Sequence, residues 1–251
     1  MNIQWNTADY KRNFDFVHKY GEDVLKLIDM PQGSYVIDLG CGNGALTKKL
    51  LELGYRAEGI DDSAEMLLQA EELHPDIKFT RADALTFHLE EKADVIFSNA
   101  VFHWIDEKDQ QQLAENIFDN LKSGGMLVCE FGGYGCAETV HSALEECFER
   151  HGLSYSRTFY FPTIGQYTPV LEAAGFCVEY ALLFDRPTLQ HTADGAADWI
   201  RMFIKTPFIG MPSGQKEAII AETVEKIRPE LFTNDGWIID YVRIRVKARK
   251  R

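Results

Sequence analysis

Residues 35–50 read YVIDLGCGNGALTKKL: a short strand-like run, glycines at 40, 42 and 44, then an amphipathic helix pattern. No other stretch restricts the fold so much. A strand that turns through glycines straight into a helix must cross back over a sheet, and RAEGID at 56–61 has the character of the returning parallel strand. Glycine at such a turn permits positive φ and lets a ligand approach the backbone closely. The open N–H groups of the following helix accept an anionic group. Asp61 ends the second strand, where a carboxylate can take both hydroxyls of a ribose. The combination predicts a nucleoside-containing ligand over the C-terminal edge of the sheet, and Asp38 sits two residues before the first glycine.

The same alternation continues. GALTKKLLELG reads as a helix, SAEMLLQAEEL as a helix, IKFTRAD and ADVIFSNA as strands, KDQQQLAENIFDNLK as a helix with Leu113, Ile117 and Leu121 on one face, and GMLVCEFG as a strand. Upstream, residues 7–29 carry Tyr10, Phe14, Val17, Val24 and Ile28 at helical spacing. Downstream come helices near 137–151 and 163–174 and the strand CVEYALLF. Two further helices, DGAADWIRMFI and GQKEAIIAETVEKIRPEL, are joined by TPFIGMPS. Last, DYVRIRVKAR alternates Val242, Ile244, Val246 and Ala248 with Arg243, Arg245, Lys247 and Arg249, as a half-buried strand does. The expected fold is α/β: a Rossmann-like doubly wound sheet, mostly parallel with an antiparallel last strand, plus a helical lid insertion. The expected organisation is one domain: a helical cover over 1–30, a cofactor-binding core over 31–185, the lid over 190–235, and the last strand with a basic tail over 236–251.

Composition narrows the function. The formal net charge is −13 over 251 residues, the opposite of what a nucleic-acid binder carries. RIRVKARKR is the basic exception, read as a solvated strand face plus a tail. Five cysteines, an odd number without a CxxC pair, suggest reduced thiols in a cytoplasmic protein, with neither a disulfide framework nor a metal site. No run of about 18 apolar residues predicts a membrane span, and the first residues lack the apolar core of a signal peptide. Oligomeric state stays open: Phe203, Ile204, Phe208 and Ile209 suit a cover over substrate, or a partner subunit.

A dinucleotide fingerprint would place glycine where Ala45 stands. The set VIDLGCGNG, GIDDS, TRADA, FSNAVFHW and LKSGGMLV instead resembles, in order and spacing, the motifs of class I S-adenosylmethionine-dependent methyltransferases across about residues 30–132. The resemblance implies that Asp38, Gly40, Cys41, Gly42 and Gly44 lie at the methionine end of S-adenosylmethionine. It implies that Asp61 takes the ribose, Asp62 and Met66 flank the adenine, and Asp83 and Ala84 contact its edge. Asn99, Ala100 and Val101 would line the floor near the methyl group. The flanks WNTADYKRNFDFVHKYGEDVLKLI, EFGGYGC, FDRPT, ADWIRMF and GWIIDYVRIRV resemble the subgroup that contains trans-aconitate methyltransferase. By that likeness Trp5 and Tyr10 belong to a mobile segment over the cofactor.

Plainer roles compete with these. Asp38 also suits a cap for the glycine loop, Asp83 a turn after a strand, Met66 a core position, and Cys41 packing rather than nucleophilic attack. His103 is the candidate general base, or with Trp104 a pocket wall; Trp104 also suits contact with the sulfonium or the acceptor. The expected acceptor is a small carboxylic acid, held by Arg186 and Arg201 with Trp199, Trp237 and Tyr241 as walls, although each arginine also suits an ion pair. A carboxylate is ionised at pH 7, with a pKa of ~4, and needs no base; a phenol or amine does. A malonyl-carrier-protein methyltransferase, a non-catalytic cofactor-binding module and an NAD-dependent oxidoreductase are the alternatives.

Overall fold

The computed structural model describes residues 21, 23–192 and 194–251. Of the helix predicted over 7–29, the described part is helical at 21 and 23–25; the rest lies outside the described residues. The predicted crossover is present. Strand β1 (Tyr35–Leu39) runs through the glycine turn into helix α1 (Ala45–Glu52) and returns as β2 (Arg56–Asp61), parallel to β1. Helix α2 (Ala64–Leu73) starts at Ser63, whose hydroxyl accepts from the Met66 N–H at 3.3 Å. Strands β3 (Phe79–Arg81) and β4 (Ala93–Asn99) follow, then helix α3 (Gln110–Asn120) and strand β5 (Leu121–Gly132). Leu121, read from the sequence as the end of a helix face, opens β5 opposite Ala93.

Helix α4 (Glu138–Arg150), helix α5 (Ile164–Ala173) and strand β6 (Phe176–Asp185) come next. Thr163 and Gln166 close a capping box at the start of α5. The chain then passes through strand β7 (Thr188–Leu189), helices α6 (Gly195–Phe203) and α7 (Ser213–Leu231), strands β8 (Phe232–Thr233) and β9 (Gly236–Ile239), and finally β10 (Val242–Lys250). The large sheet has the order β3-β2-β1-β4-β5-β10-β6, with β10 antiparallel to β5. All five residues of β1 are buried, because a central parallel strand has both faces covered. One face carries Ile37, Leu39, Ile96, Cys129 and Phe131; the other carries Val36, Val95, Phe97, Met126 and Val128.

Two compact units emerge. The first comprises the described residues up to 133 together with 160–183 and 243–251. The second comprises 134–159 and 184–242, and so takes in α4 as well as the helices predicted over 190–235. Within the second unit, β7, β9 and β8 form a small sheet of their own. Residues 236–239, expected in the last strand, belong to that small sheet rather than to β10.

The basic stripe of β10 is not the solvated face expected. β10 lies inside the sheet between β5 and β6, so both of its edges are paired, and the basic side chains at 245, 247 and 249 are half-buried. Ile244, Val246 and Ala248 are fully buried on one side. On the other, Arg245 pairs with buried Glu130 at 2.6 Å, Lys247 with Asp29 at 2.5 Å, and Arg249 with Asp29 at 3.0 Å and Glu179 at 2.8 Å. Among the described residues no helix is long and apolar enough to cross a membrane, and no cluster of His, Cys, Asp and Glu is arranged to hold a metal.

Candidate active site

The glycine turn sits in the first unit at the end of β1, tied to β2 because Gly40 and Cys41 both donate backbone N–H groups to the Ile60 carbonyl, at 2.7 and 3.0 Å. Gly40 has φ 77°, and a Cβ there would lie 2.2 Å from Val101 Cγ2, so Val101 packs directly on the glycine backbone. Gly42 and Gly44 are also left-handed, and a Cβ on Gly44 would meet the Phe79 ring at 2.6 Å. Met66 is buried with its terminal methyl against Gly42. The turn is therefore a cradle of bare backbone walled by Val101, Phe79 and Met66.

Two carboxylates flank it. Asp61 accepts from Gly42 N–H at 2.9 Å and from Ser63 N–H at 2.8 Å, so it ties the turn to the head of α2. Burial raises its pKa, and backbone hydrogen bonds from Ser63, Gly42 and Asp62 oppose the rise. A carboxylate has about four lone-pair positions, so these bonds leave capacity for a ribose hydroxyl. Asp38 is 1% exposed and accepts from Thr47 Oγ1 at 2.6 Å. Burial pushes its pKa up to about 7; the charge of Asp61 adds to this and the Thr47 hydroxyl opposes it. A carboxylate buried this deeply is stabilised by a cation beside it. The α-ammonium of an amino-acid ligand supplies one.

The other predicted contacts fall around the same edge. Asp83 accepts from Leu85 N–H at 2.8 Å through one carboxylate oxygen, a turn-forming role, and the Asp83 carbonyl accepts from Thr86 and Phe87. Ala84 is buried, and Asp62 is partly exposed with its carbonyl accepting from Arg81 at 3.0 Å. The Cys41 thiol is buried and its pKa is pushed up by burial and by Asp38 and Asp61, which disfavours a thiolate nucleophile. Asn99 ends β4, and Ala100 adopts φ 62° with its N–H donated to the Glu130 carbonyl at 2.7 Å. A non-glycine residue in that region is strained, and the strain lies where β4 delivers its loop to the cradle. A Cβ on Gly21 would lie 3.1 Å from Asn99 Nδ2, so the described end of the N-terminal segment reaches this edge. Trp5 and Tyr10 lie outside the described residues.

Phe102–Trp104 forms one 3-10 turn. His103 is buried; its Nδ1 accepts from Gly132 N–H at 3.3 Å, and its ring lies 5.0 Å from Trp104 and 5.9 Å from Phe161. Burial, helped by the charge of Arg243, holds its pKa well below the ordinary histidine value. With Nδ1 accepting, a neutral ring carries its proton on Nε2. That leaves Nε2 a hydrogen-bond donor and Nδ1 an occupied acceptor, so the ring is not a ready proton acceptor.

Of the predicted acceptor contacts, only Trp104 belongs to this unit. In the second unit, Trp199 donates to the Tyr241 hydroxyl at 2.5 Å, Arg186 lies 4.9 Å over the Phe184 ring and donates its N–H to the Tyr241 carbonyl at 2.6 Å, and Trp237 packs on Phe232 at 5.1 Å. Arg201 is held by Glu217 at 2.7 Å and Asp198 at 3.1 Å, the ion-pair alternative to substrate binding. Sequence reading missed Thr47, Glu130 and Arg243. Thr47 carried a signal, as the third residue of a helix that begins at the glycine turn. Arg243 looked like one more basic residue of a strand.

The methyltransferase domain family matches residues 36–125. Over 258 residues, covering 98% of each protein, the chain is 31% identical to an uncharacterized methyltransferase of Schizosaccharomyces pombe. The chain belongs to the class I S-adenosylmethionine-dependent methyltransferases. It is 28% identical to a trans-aconitate 2-methyltransferase of Rhizobium etli over 94% of this chain and 95% of that one. A solved methyltransferase of Bacillus halodurans shares the fold with a TM-score of 0.62 at 16% identity, covering 91% of this chain and 97% of that chain. A Haemonchus contortus phosphoethanolamine N-methyltransferase, solved with S-adenosylhomocysteine, aligns with a TM-score of 0.58 at 18% identity, over 92% of this chain and 52% of that one. The cofactor of this methyltransferase is S-adenosylmethionine, and the bare glycine cradle, the buried Asp38 and the ribose-competent Asp61 fit it. The nicotinamide oxidoreductase and non-catalytic alternatives are set aside.

Proposed function

We propose that this methyltransferase transfers the methyl group to a carboxylate oxygen of a small carboxylic acid. The observation that carries the reading is His103: a buried neutral imidazole whose Nδ1 is committed to Gly132 N–H. An acceptor that must lose a proton, such as a phenol or an ammonium group, requires a base at this edge. A carboxylate requires none at neutral pH. The reading is supported by full-length likeness to trans-aconitate 2-methyltransferases at 26–28% identity.

S-adenosylmethionine supplies the electrophilic methyl group. The chain binds and orients: Gly40–Gly44 and Asp38 hold the amino-acid end, Asp61 the ribose, and Met66, Asp62, Asp83 and Ala84 the adenine. His103 and Trp104 wall the acceptor side and exclude water. Holding the acceptor oxygen in line with the methyl group contributes about 7–11 kcal/mol to rate acceleration. Arg201, already paired with two carboxylates, is dropped as an acceptor contact. A carrier-protein substrate is less favoured. An acidic carrier needs a basic docking face, and the basic residues 245, 247 and 249 are engaged by Asp29, Glu130 and Glu179.

The test is a panel of mono-, di- and tricarboxylic acids, amines and phenols with S-adenosylmethionine. S-adenosylhomocysteine is measured, together with methanol released from the product by base. Base-labile methyl groups on carboxylic acids are the expected result. Turnover confined to amines or phenols overturns the reading.

A further inference from the structure

Phe102–Trp104 is a single 3-10 turn, too short to fix its own direction by an internal hydrogen-bond ladder. Within it, Trp104 N–H donates to the Val101 carbonyl at 2.9 Å and Ile105 N–H to the Phe102 carbonyl at 3.2 Å. A side chain from the next helix closes the turn. Gln110, the first residue of α3, is 1% exposed, and its Nε2 donates to the Phe102 carbonyl at 2.9 Å and to the Ile105 carbonyl at 2.8 Å. Both partners are acceptors, so only an NH2 group satisfies the two together. His103 and Trp104 lie between the carbonyls that it grips. The Gln110 Oε1 is buried and accepts no hydrogen bond from the described residues. Two neutral hydrogen bonds set against one stranded buried acceptor leave little net stabilisation. Fold stability therefore accounts poorly for this amide, whereas the geometry it imposes on the turn accounts for it well. Further along α3, Asn116 donates to the Ala84 carbonyl at 3.1 Å and Asn120 to the Phe87 carbonyl at 3.2 Å, so the loop after β3 is held by other amides.

On the reading that His103 and Trp104 wall the acceptor side, we propose that Gln110 is a positioning residue for methyl transfer: it fixes the turn so that both side chains hold one orientation beside the acceptor. His103 shows what depends on it. Its carbonyl accepts from Tyr160 N–H at 3.1 Å, and its Nδ1 accepts from Gly132 N–H at 3.3 Å. The second bond is at the long end of the usual range, so a small rotation of the turn breaks it. Once it is broken, neither ring nitrogen is preferred as the site of the proton, and the wall against which the acceptor rests is displaced. In-line transfer is sensitive to such shifts, because a misplacement of about 1 Å costs ~100-fold in rate.

The experiment compares the wild type, Gln110→Leu and Gln110→Glu, with S-adenosylhomocysteine bound for spectroscopy and saturating S-adenosylmethionine for turnover. Nitrogen NMR of isotope-labelled histidine reports the His103 tautomer and its titration between pH 5.5 and 8, the His103 signals being assigned by their loss in His103→Asn. The wild type is expected to hold one neutral tautomer, protonated on Nε2, across that range. Gln110→Leu should give mixed tautomers and a ring that titrates nearer the ordinary histidine value. Its kcat, with whichever acceptor of the panel turns over, should fall about 10- to 100-fold, while S-adenosylhomocysteine affinity stays within about threefold. Gln110→Glu keeps the shape with at most one donor; it should act in the same direction, and it carries the test if the leucine variant fails to fold. A merely structural role lowers the unfolding temperature but leaves the tautomer and kcat of the folded variants as in the wild type. An unchanged tautomer, or an unchanged kcat, in the folded variants overturns the assignment. The tautomer needs no acceptor, so it decides the role of Gln110 even where the wild type turns over no carboxylic acid, the result that refutes the carboxylate reading instead.

Discussion

Lowering the pH below 7 should weaken cofactor binding, and the reason is Asp38. Its carboxyl is buried, bonded to Thr47, and raised to about 7 in the unliganded protein. The ammonium of the cofactor needs the ionised form. Binding therefore costs deprotonation wherever the free protein holds the proton. At pH 6 about ten-elevenths of Asp38 is protonated, which weakens affinity about 11-fold, or ~1.4 kcal/mol; above pH 7.5 the effect fades. S-adenosylhomocysteine titrated calorimetrically between pH 5.5 and 7.5, in buffers of different ionisation enthalpy, reports both the affinity and the proton released. Thr47→Val removes a charge-assisted hydrogen bond worth ~1.5–3 kcal/mol. It should move the midpoint up by about one unit or more, because that bond lowers the Asp38 pKa. Linkage also fixes the effect on stability. An acid whose folded pKa exceeds its unfolded value of 3.8 loses folded-state stability as pH rises from about 4 to 7, here by at most about 4 kcal/mol. Asp38→Asn, which is neutral throughout, should unfold at a higher temperature than wild type at pH 8 while binding cofactor more weakly. A wild-type affinity flat from pH 5.5 to 7.5 with no proton release refutes the reasoning.

Gly40→Ala forces a Cβ into Val101 at φ 77° and should cost on the order of 2–3 kcal/mol in urea unfolding, with weakened S-adenosylhomocysteine binding. His103→Asn should keep turnover of the carboxylic acid within about tenfold and leave the pH–rate profile between 6 and 8 in place; a loss of about 10²-fold or more with a shifted profile marks a base after all. Arg245→Met breaks the ion pair of the buried Glu130 carboxylate and should destabilise by about 3–5 kcal/mol in chemical denaturation. Arg201→Met removes a partly exposed ion pair and should change both stability and acceptor KM little, within about 1 kcal/mol and threefold.

Much of the cofactor side was legible from residues alone. Gly40, Gly42 and Gly44 are read from sequence because only glycine enters their backbone region cheaply, and Asp61 because strand length fixes how far a carboxylate lies from the turn. The order of strands and helices follows from periodicity, a local property. Charge pairing does not. The stripe Arg243, Arg245, Lys247 and Arg249 reads as a wet face because alternation records the buried side and is silent about what covers the other. Its partners Asp29, Glu130 and Glu179 are distant in sequence, and β10 meets them only because the sheet order inserts it between β5 and β6. The same is true of His103, whose sequence position suggests a base. Its tautomer is set by Gly132 N–H, which the pairing of β4 with β5 brings near. Sequence by itself determined the strand–turn–helix frame and the placing of Asp38 and Asp61 beside the glycine turn, since both depend on neighbours within a few residues or one crossover. Tertiary structure alone decided which buried charges are paired and which ring nitrogen holds the proton, because burial and hydrogen bonding are set by residues that only the folded sheet brings together.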